Sequence, residues 1–421
     1  MTEQTALSTL NMVDHDPYDI PLDKFDISQQ ALWAQDKKME YFRRLRDEAP
    51  VHFCAESEFG PYWSLTRYAD ILEVDKNWKD FSSEPAITIV DPEEDFPLPM
   101  FIAMDPPKHD EQRKTVQGAV APVNLKALES TIRLRTQNVL SDLPVGEDFD
   151  WVDRVSIELT TQMLATLFDF PFEDRRKLTR WSDVATGGPE TGVVESDEQR
   201  QEELLECLEY FTRLWQERAE KDGSNDFISM LVHGEATKDM SPEEYLGNLI
   251  LLIVGGNDTT RNSMTSGVIA LNDNPGEYAK LRNNPSLIPN MVSEIIRWQT
   301  PLAHMRRIAN RDYKLSGKTI KQGDKVIMWY LSGNRDERSI DRPDEFLIDR
   351  KQARQHLAFG FGPHRCMGNR LAELQLRILW EEIQKRFHFI EVRGVPELVP
   401  SHLLEILIYQ AMQVPGLWYL G

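Results

Sequence analysis

The sequence predicts a mainly α protein with small β-sheets, and three observations carry that reading. Apolar residues recur at helical spacing through most of the stretch from about Leu125 to Arg297. Strand-like runs are short and fall in two regions, near residues 51–65 and 313–328. No repeat, low-complexity tract or long linker divides the 421 residues. One folded unit over 32–421 is therefore expected, after a loosely ordered segment 1–31 with scattered prolines and polar residues.

The elements follow in chain order. Val51 to Cys54 and Tyr62 to Leu65 read as strands, and Glu56-Ser57-Glu58-Phe59-Gly60-Pro61 between them reads as a hairpin turn. In Asp105-Pro106-Pro107-Lys108-His109-Asp110-Glu111-Gln112-Arg113, His109 and Arg113 stand four apart, on one face of a helix. Residues Thr186 to Cys207 combine glycine, proline and acids, the composition of a mobile segment. Ser241-Pro242-Glu243-Glu244 opens a long helix: a capping serine, proline at the first position, acids in the first turn. Its pattern runs to about Leu271. In its middle lies Gly255-Gly256-Asn257-Asp258-Thr259-Thr260, where each glycine costs roughly 1 kcal/mol against alanine. Close contact with another helix would explain a bare glycine pair. A hydroxyl one turn beyond Gly255 could instead close a groove for a diatomic ligand, with the Asp258 carboxylate relaying protons inward. Glu294 and Arg297 share one face of a helix that ends at Pro301. Strands return between Tyr313 and Met328, with turns at Ser316-Gly317 and Gln322-Gly323-Asp324.

Composition narrows the function classes. Hydrophobic residues at 41% and charged residues at 28% suit a soluble globular enzyme. The longest apolar run, Leu249 to Val254, is too short to span a bilayer. The N-terminus, Met1-Thr2-Glu3-Gln4, turns acidic and reads as neither a signal nor a transit peptide. Three cysteines without a framework point to a reducing compartment, so a cytoplasmic location is expected. A net charge of −21 argues against nucleic acid and anionic membranes as partners. The segment from Arg365 to Arg386 reverses that trend, with Arg365, Arg370, Arg377, Lys385 and Arg386 against Glu373, Glu381 and Glu382. It reads either as a solvated helix face or as a basic patch for an acidic partner.

Cys366 is the most informative residue. It sits in the run Phe359-Gly360-Phe361-Gly362-Pro363-His364-Arg365-Cys366-Met367-Gly368, which leads directly into a helical pattern that begins at Asn369. A cysteine at a helix mouth meets free N–H groups and the positive end of the dipole, which favour thiolate. A lone intracellular cysteine is usually a small buried hydrophobe. Zinc is excluded, because none of Cys54, Cys207 and Cys366 is paired at ligand spacing. A nucleophile would need a base, and His364 is the only local candidate. Neither the hydrophobe nor the nucleophile explains an aromatic-glycine loop, whereas glycines admit a flat macrocycle to the sulfur and a thiolate suits haem iron.

The ten-residue run resembles the cysteine loop of the cytochrome P-450 family, F-G-x-G-x-H-x-C-x-G, at every fixed position. Gly255 to Thr259 is similar to that family's (A/G)-G-x-(D/E)-T, Glu294 and Arg297 to its E-x-x-R, and Asp105 to Arg113 to its D-P-P-x-H-x-x-x-R. The resemblance extends from about Tyr41 to the C-terminus. It implies an α-helical prism around a buried haem b with Cys366 as axial ligand; no Cys-x-x-Cys-His is present, so the haem is expected to be non-covalent. It further implies that Thr259 hydrogen-bonds the oxygen being activated and that Asp258 feeds the proton. His109, Arg113, Arg307 and His364 would hold the propionates. Gly255, Phe359, Gly360 and Gly368 would lie against the macrocycle, and Glu294, Arg297 and Arg350 would form an ionic triad behind the cysteine loop.

Residues 248–262 and 364–373 resemble the bacterial alkane hydroxylases that oxidise terminal methyl groups of medium-chain alkanes and related chains. That likeness implies terminal hydroxylation of alkanes or fatty acids, with electrons from NADH through a ferredoxin reductase and a ferredoxin docked on the basic patch. An end-on apolar channel is then expected, with walls from Leu251, Leu252, Leu302, Ala303, Met305, Phe101 and Ile102, and further guesses at Ile87 to Ile89, Leu403 and Leu404. The segment 186–207 would cover it as a lid. The haem motifs concern oxygen rather than substrate, so a monooxygenase of terpenoids, steroids or macrolides stays open. A haem-thiolate sensor would not need the Asp258-Thr259 pair.

Overall fold

The long capped helix organises the molecule. In the computed structural model the Ser241 hydroxyl accepts the Glu244 N–H at 3.2 Å, and Pro242–Asp273 runs for 32 residues, about 48 Å at 1.5 Å per residue. Helices Arg176–Thr186, Glu158–Phe168 and Ile288–Gln299 pack around it. The structure describes residues 10–144, 146–394 and 396, together with the strands Leu398–Pro400, Leu407–Tyr409 and Gln413–Val414. The helix is buried over most of its length, so its polar residues need partners. Asn248 accepts the Phe101 N–H at 2.9 Å, and Asn257 accepts the Thr160 hydroxyl at 2.8 Å. Ser156 and Thr265 lie 2.9 Å apart.

Helices dominate and the sheets are small. The main sheet has five strands in the order Val51–Cys54, Tyr62–Leu65, Lys325–Met328, Met305–Ala309, Phe81–Ser82. The expected hairpin forms with Val51 opposite Leu65, and Tyr62–Leu65 then pairs in parallel with Lys325–Met328. Tyr313–Leu315 and Lys318–Ile320 form their own hairpin, with Ser316 and Gly317 both at positive φ in the turn. Met305–Ala309 reads Met-Arg-Arg-Ile-Ala, without the alternation that marks a strand, and sequence patterning missed it.

Two expectations change. From residue 10 onward the N-terminal segment is packed rather than loose: Met12, Val13, Ile20, Phe25 and Ile27 are buried with Trp33, Tyr41 and Trp329. The Tyr41 hydroxyl donates to the Met12 carbonyl at 2.6 Å, and Arg44 donates to the Ile20 carbonyl at 2.6 Å. These anchors carry no period, so composition alone read the segment as unstructured. In the region 186–207, residues from Asp197 onward belong to the helix Asp197–Ala219, capped by Ser196, with Leu204 and Cys207 fully buried. A helix that buries one face overrides the acid-rich composition that suggested mobility.

Candidate active site

The cysteine loop is held by its own backbone. The Cys366 N–H donates to the Phe359 carbonyl at 2.8 Å, and the Gly360 N–H to that of Leu357 at 2.7 Å. Gly360 and Gly362 sit at φ +62° and +67°, a region L side chains rarely adopt. A Cβ on Gly362 would stand 2.7 Å from the Asp75 carbonyl oxygen, so this glycine answers to the helix Tyr68–Lys76 beneath the loop, not to a macrocycle. Gly368, by contrast, opens onto free space and lines the cavity.

Above the loop lies a cavity of about 220 Å³. Cys366 is exposed, lining both this cavity and a surface hollow beside it, while many protein atoms crowd around the sulfur. Burial pushes the thiol above its ordinary value, opposed by the N–H groups of Gly368 and Asn369 and by Arg113 and Arg365. The helix mouth therefore works against burial here, where the sequence pointed to the mouth alone.

Four cationic or imidazole side chains converge at one edge of this cavity. Arg113, Arg307 and His364 line it, and the His109 ring lies 4.1 Å from that of His364, tilted by 46°. Both ring nitrogens of His364 and Nε2 of His109 are buried without a hydrogen-bond partner. Burial, with Arg307, His109 and Arg113 nearby, pushes His364 down to about 2, so it stays a neutral donor. Orphaned donors beside two guanidiniums fit a group that brings carboxylates, and with a cysteine beneath a wide cavity they fit haem. Arg307 is not free for that task alone: its Nη2 already donates to Asp75 at 2.9 Å, a residue that no sequence motif singles out.

The distal wall separates the two glycines by role. A Cβ on Gly255 would meet nothing within 4 Å, whereas one on Gly256 would lie 2.7 Å from Leu164 Cδ2. So Gly256 serves close helix packing and Gly255 leaves the groove open. Thr259 lines the cavity, its hydroxyl donating to the Gly255 carbonyl at 3.1 Å. Asp258 is not in the cavity. It is fully buried behind the helix, 2.9 Å from Arg261, which also donates to the part-exposed Asp183 at 3.0 Å. Burial raises its carboxyl to about 6, opposed by Arg261 and reinforced by Asp183. Asp183, Arg261 and Asp258 thus form a charged chain from the surface to one residue short of Thr259.

Leu251, Leu252, Leu302, Met305, Phe101 and Ile102 line the cavity as expected, and so do Phe359 and Gly360. Ala303 does not: it is buried in the N-terminal aromatic cluster, its carbonyl accepting the Leu331 N–H at 3.1 Å. Ile87 and Ile89 also stay out, because the 87–89 stretch packs on the sheet, where the Ile87 carbonyl accepts the Arg306 N–H at 2.7 Å. Leu403 and Leu404 lie outside the described residues. Met163, Leu164, Leu167 and Phe227 complete the wall. Their helical spacing looks like ordinary core packing, so nothing in the sequence distinguishes them.

Glu294, Arg297 and Arg350 meet in one buried ionic cluster. The carboxylate accepts two bonds from Arg297 at 2.7 and 2.8 Å, two from Arg350 at 2.9 and 3.2 Å, and the Leu347 N–H at 2.9 Å. The basic patch shrinks. Arg377 pairs with Glu129 and Glu381, while Lys385, Arg386 and Arg133 close on Glu382. Arg365 and Arg370 remain exposed without a salt bridge among the described residues, and with Lys114 they rim a surface hollow next to Cys366.

The family model for Cytochrome P450 matches residues 130–409. In three dimensions the chain is similar to cytochrome P450-153 from Novosphingobium aromaticivorans, at 46% identity and TM-score 0.87, over 93% of this chain and 98% of that one. It is 32% identical over 383 residues to linalool 8-monooxygenase of Pseudomonas putida, 88% of this chain and 94% of the relative. It is 30% identical over 422 residues to the methyl-branched lipid omega-hydroxylase of Mycobacterium tuberculosis, 96% of each. No helix among the described residues is long and apolar enough to cross a membrane.

Proposed function

The chain belongs to the cytochrome P450 family and is a haem-thiolate monooxygenase; we propose that it hydroxylates the terminal carbon of medium-chain alkanes or related chains. One observation carries the substrate reading. Among the described residues, the ionisable side chains lining the cavity are Arg113, Arg307, His364, Cys366 and Tyr330; the first four belong to the cysteine loop or to the carboxylate-binding edge, and the Tyr330 hydroxyl is taken up by Asp75. The remaining walls are aliphatic, aromatic, glycine or uncharged polar residues, with no further cation among the described residues to bind a substrate carboxylate. Such a site favours a neutral apolar chain.

Haem b, bound without a covalent link, supplies the activation of dioxygen for insertion into a C–H bond, and Cys366 is the thiolate we assign to its iron. The protein contributes position and protons. His109, Arg113, Arg307 and His364 hold the carboxylate edge. Thr259 stands in the groove that Gly255 leaves open, and its hydroxyl would turn from the Gly255 carbonyl to donate a proton there. Behind it Asp258, whose carboxyl Arg261 holds towards the part-exposed Asp183, would pick up a proton from solvent and pass it towards Thr259. Leu251, Leu252, Phe101, Leu302 and Met305 exclude water and guide the chain. A primary C–H bond is stronger than its secondary neighbours, so terminal attack needs walls that admit the chain only end-on. Electrons would come from NADH through a reductase and a ferredoxin, docked where Arg365, Arg370 and Lys114 are unpaired. A cytoplasmic location belongs to the same reading.

The likeness to an omega-hydroxylase of lipids supports terminal attack, while the likeness to linalool 8-monooxygenase favours a second reading, a terpenoid substrate. Incubation of octane and a medium-chain fatty acid with the enzyme, a surrogate ferredoxin system and NADH separates them. Dominant octan-1-ol is expected. Internal alcohols alone, or no product, would sink the terminal reading and turn attention to terpenoids.

A further inference from the structure

A buried carboxylate outside all of these roles stands beneath the cysteine loop. Asp75, one residue from the end of the helix Tyr68–Lys76, is 1% exposed. It accepts three hydrogen bonds from three separate segments: Arg307 Nη2 at 2.9 Å, the Tyr330 hydroxyl at 2.9 Å and the Phe361 N–H at 2.7 Å. Around it the fit is close. A Cβ on Gly360 would lie 3.3 Å from Asp75 Oδ2, and the Lys76 ammonium sits 5.3 Å from the centre of the Phe361 ring. The loop that carries Cys366 therefore rests on the end of this helix through Asp75, and the same carboxylate grips a guanidinium that lines the cavity.

We propose that Asp75 is a positioning residue for the haem, holding Arg307 and the cysteine loop as one unit and offsetting the guanidinium charge at the cavity edge. Arg307 then faces two carboxylates, one from the protein and one from the haem, and only part of its charge acts on the iron. Burial raises the Asp75 carboxyl, yet Arg307 and the two other donors oppose that rise and favour its charged form. Removing the charge leaves Arg307 unbalanced. Added positive charge favours ferrous over ferric haem, because reduction removes one positive charge from the centre. The inference rests on haem binding, not on the substrate, so it stands or falls independently of terminal hydroxylation.

The test compares haem-loaded wild type, Asp75→Asn and Asp75→Glu by redox titration and by the rate of haem loss to an apo-haem acceptor. In Asp75→Asn the ferrous-to-ferric ratio at a fixed potential should rise three- to tenfold, the upper end being about 59 mV for one electron, and haem loss should quicken severalfold. Asp75→Glu keeps the charge and should hold the potential near wild type. A folded Asp75→Asn protein with unchanged potential and haem loss would overturn the proposal and leave Asp75 as packing alone. Should that variant not fold, Tyr330→Phe removes one donor to the carboxylate and should shift the potential in the same direction by less; no shift there overturns it equally.

Discussion

Glu294→Gln tests the buried ionic cluster of Glu294, Arg297 and Arg350 by changing one atom of the carboxylate. The substitution keeps the shape and removes the charge that accepts two bonds from each of two buried arginines. Both guanidiniums retain carbonyl partners, Arg297 at Asn334, Pro343 and Glu345 and Arg350 at Arg342 and Glu345. Hydrogen bonding is therefore only partly lost, whereas charge balance is lost entirely. Breaking a buried pair from one side costs about 3–5 kcal/mol. With an unfolding entropy of about 2.1 cal/mol/K per residue, a chain of this length carries about 0.9 kcal/mol/K, so the cost appears as a fall of about 3–6 °C in Tm. Burial alone would raise the Glu294 carboxyl, but Arg297 and Arg350 hold it below the usual range. A depressed folded pKa gives stability that is present above the unfolded value, about 4.3, and is lost as pH falls through the folded one. The gap between wild type and Glu294→Gln should thus be full at neutral pH and close progressively below about pH 4.3. The assay is thermal denaturation of haem-loaded protein followed by circular dichroism at several pH values. A Tm within about 1 °C of wild type at neutral pH, or a gap that does not depend on pH, would refute the charge argument.

The other predictions concern the chemistry. Cys366→Ala should abolish the thiolate-type spectrum of the ferrous–CO complex while leaving far-ultraviolet dichroism unchanged; a retained spectrum would disprove the ligand assignment. Thr259→Ala should cut product formed per NADH at least about tenfold, with the electrons recovered as hydrogen peroxide, since a positioned proton donor contributes on the order of 10²-fold or more. Normal coupling would remove Thr259 from proton delivery. Arg370→Glu should lower kcat/KM for the ferredoxin severalfold at low ionic strength, with the difference narrowing as salt is added. A loss that salt does not touch would point to folding instead of docking.

What the sequence determined by itself is what short spacing encodes. The cap, proline and acids at Ser241 to Glu244 set where the long helix begins, and the observed start agrees with them. The loop around Cys366 names its chemistry in ten consecutive residues, because a thiolate, its glycines and the following helix must lie together along the chain. Gly255 and Thr259 likewise stand one helical turn apart and necessarily share a face. Local order does not reveal partners brought from far away. Asp75 meets Arg307 across 232 residues and Phe361 across 286, and Arg261, paired with Asp258, reaches Asp183 across 78. The pairing of Arg377, Lys385 and Arg386 with acids, some on the same helix, could not be told in advance from a free basic face, since long side chains choose among several neighbours. Ala303 and Leu302 are adjacent, yet one lines the cavity and the other lies in the N-terminal cluster; only the path of the backbone between helix and sheet decided which. Burial, charge balance and the walls of the cavity are properties of three-dimensional neighbourhood, and tertiary packing alone supplied them.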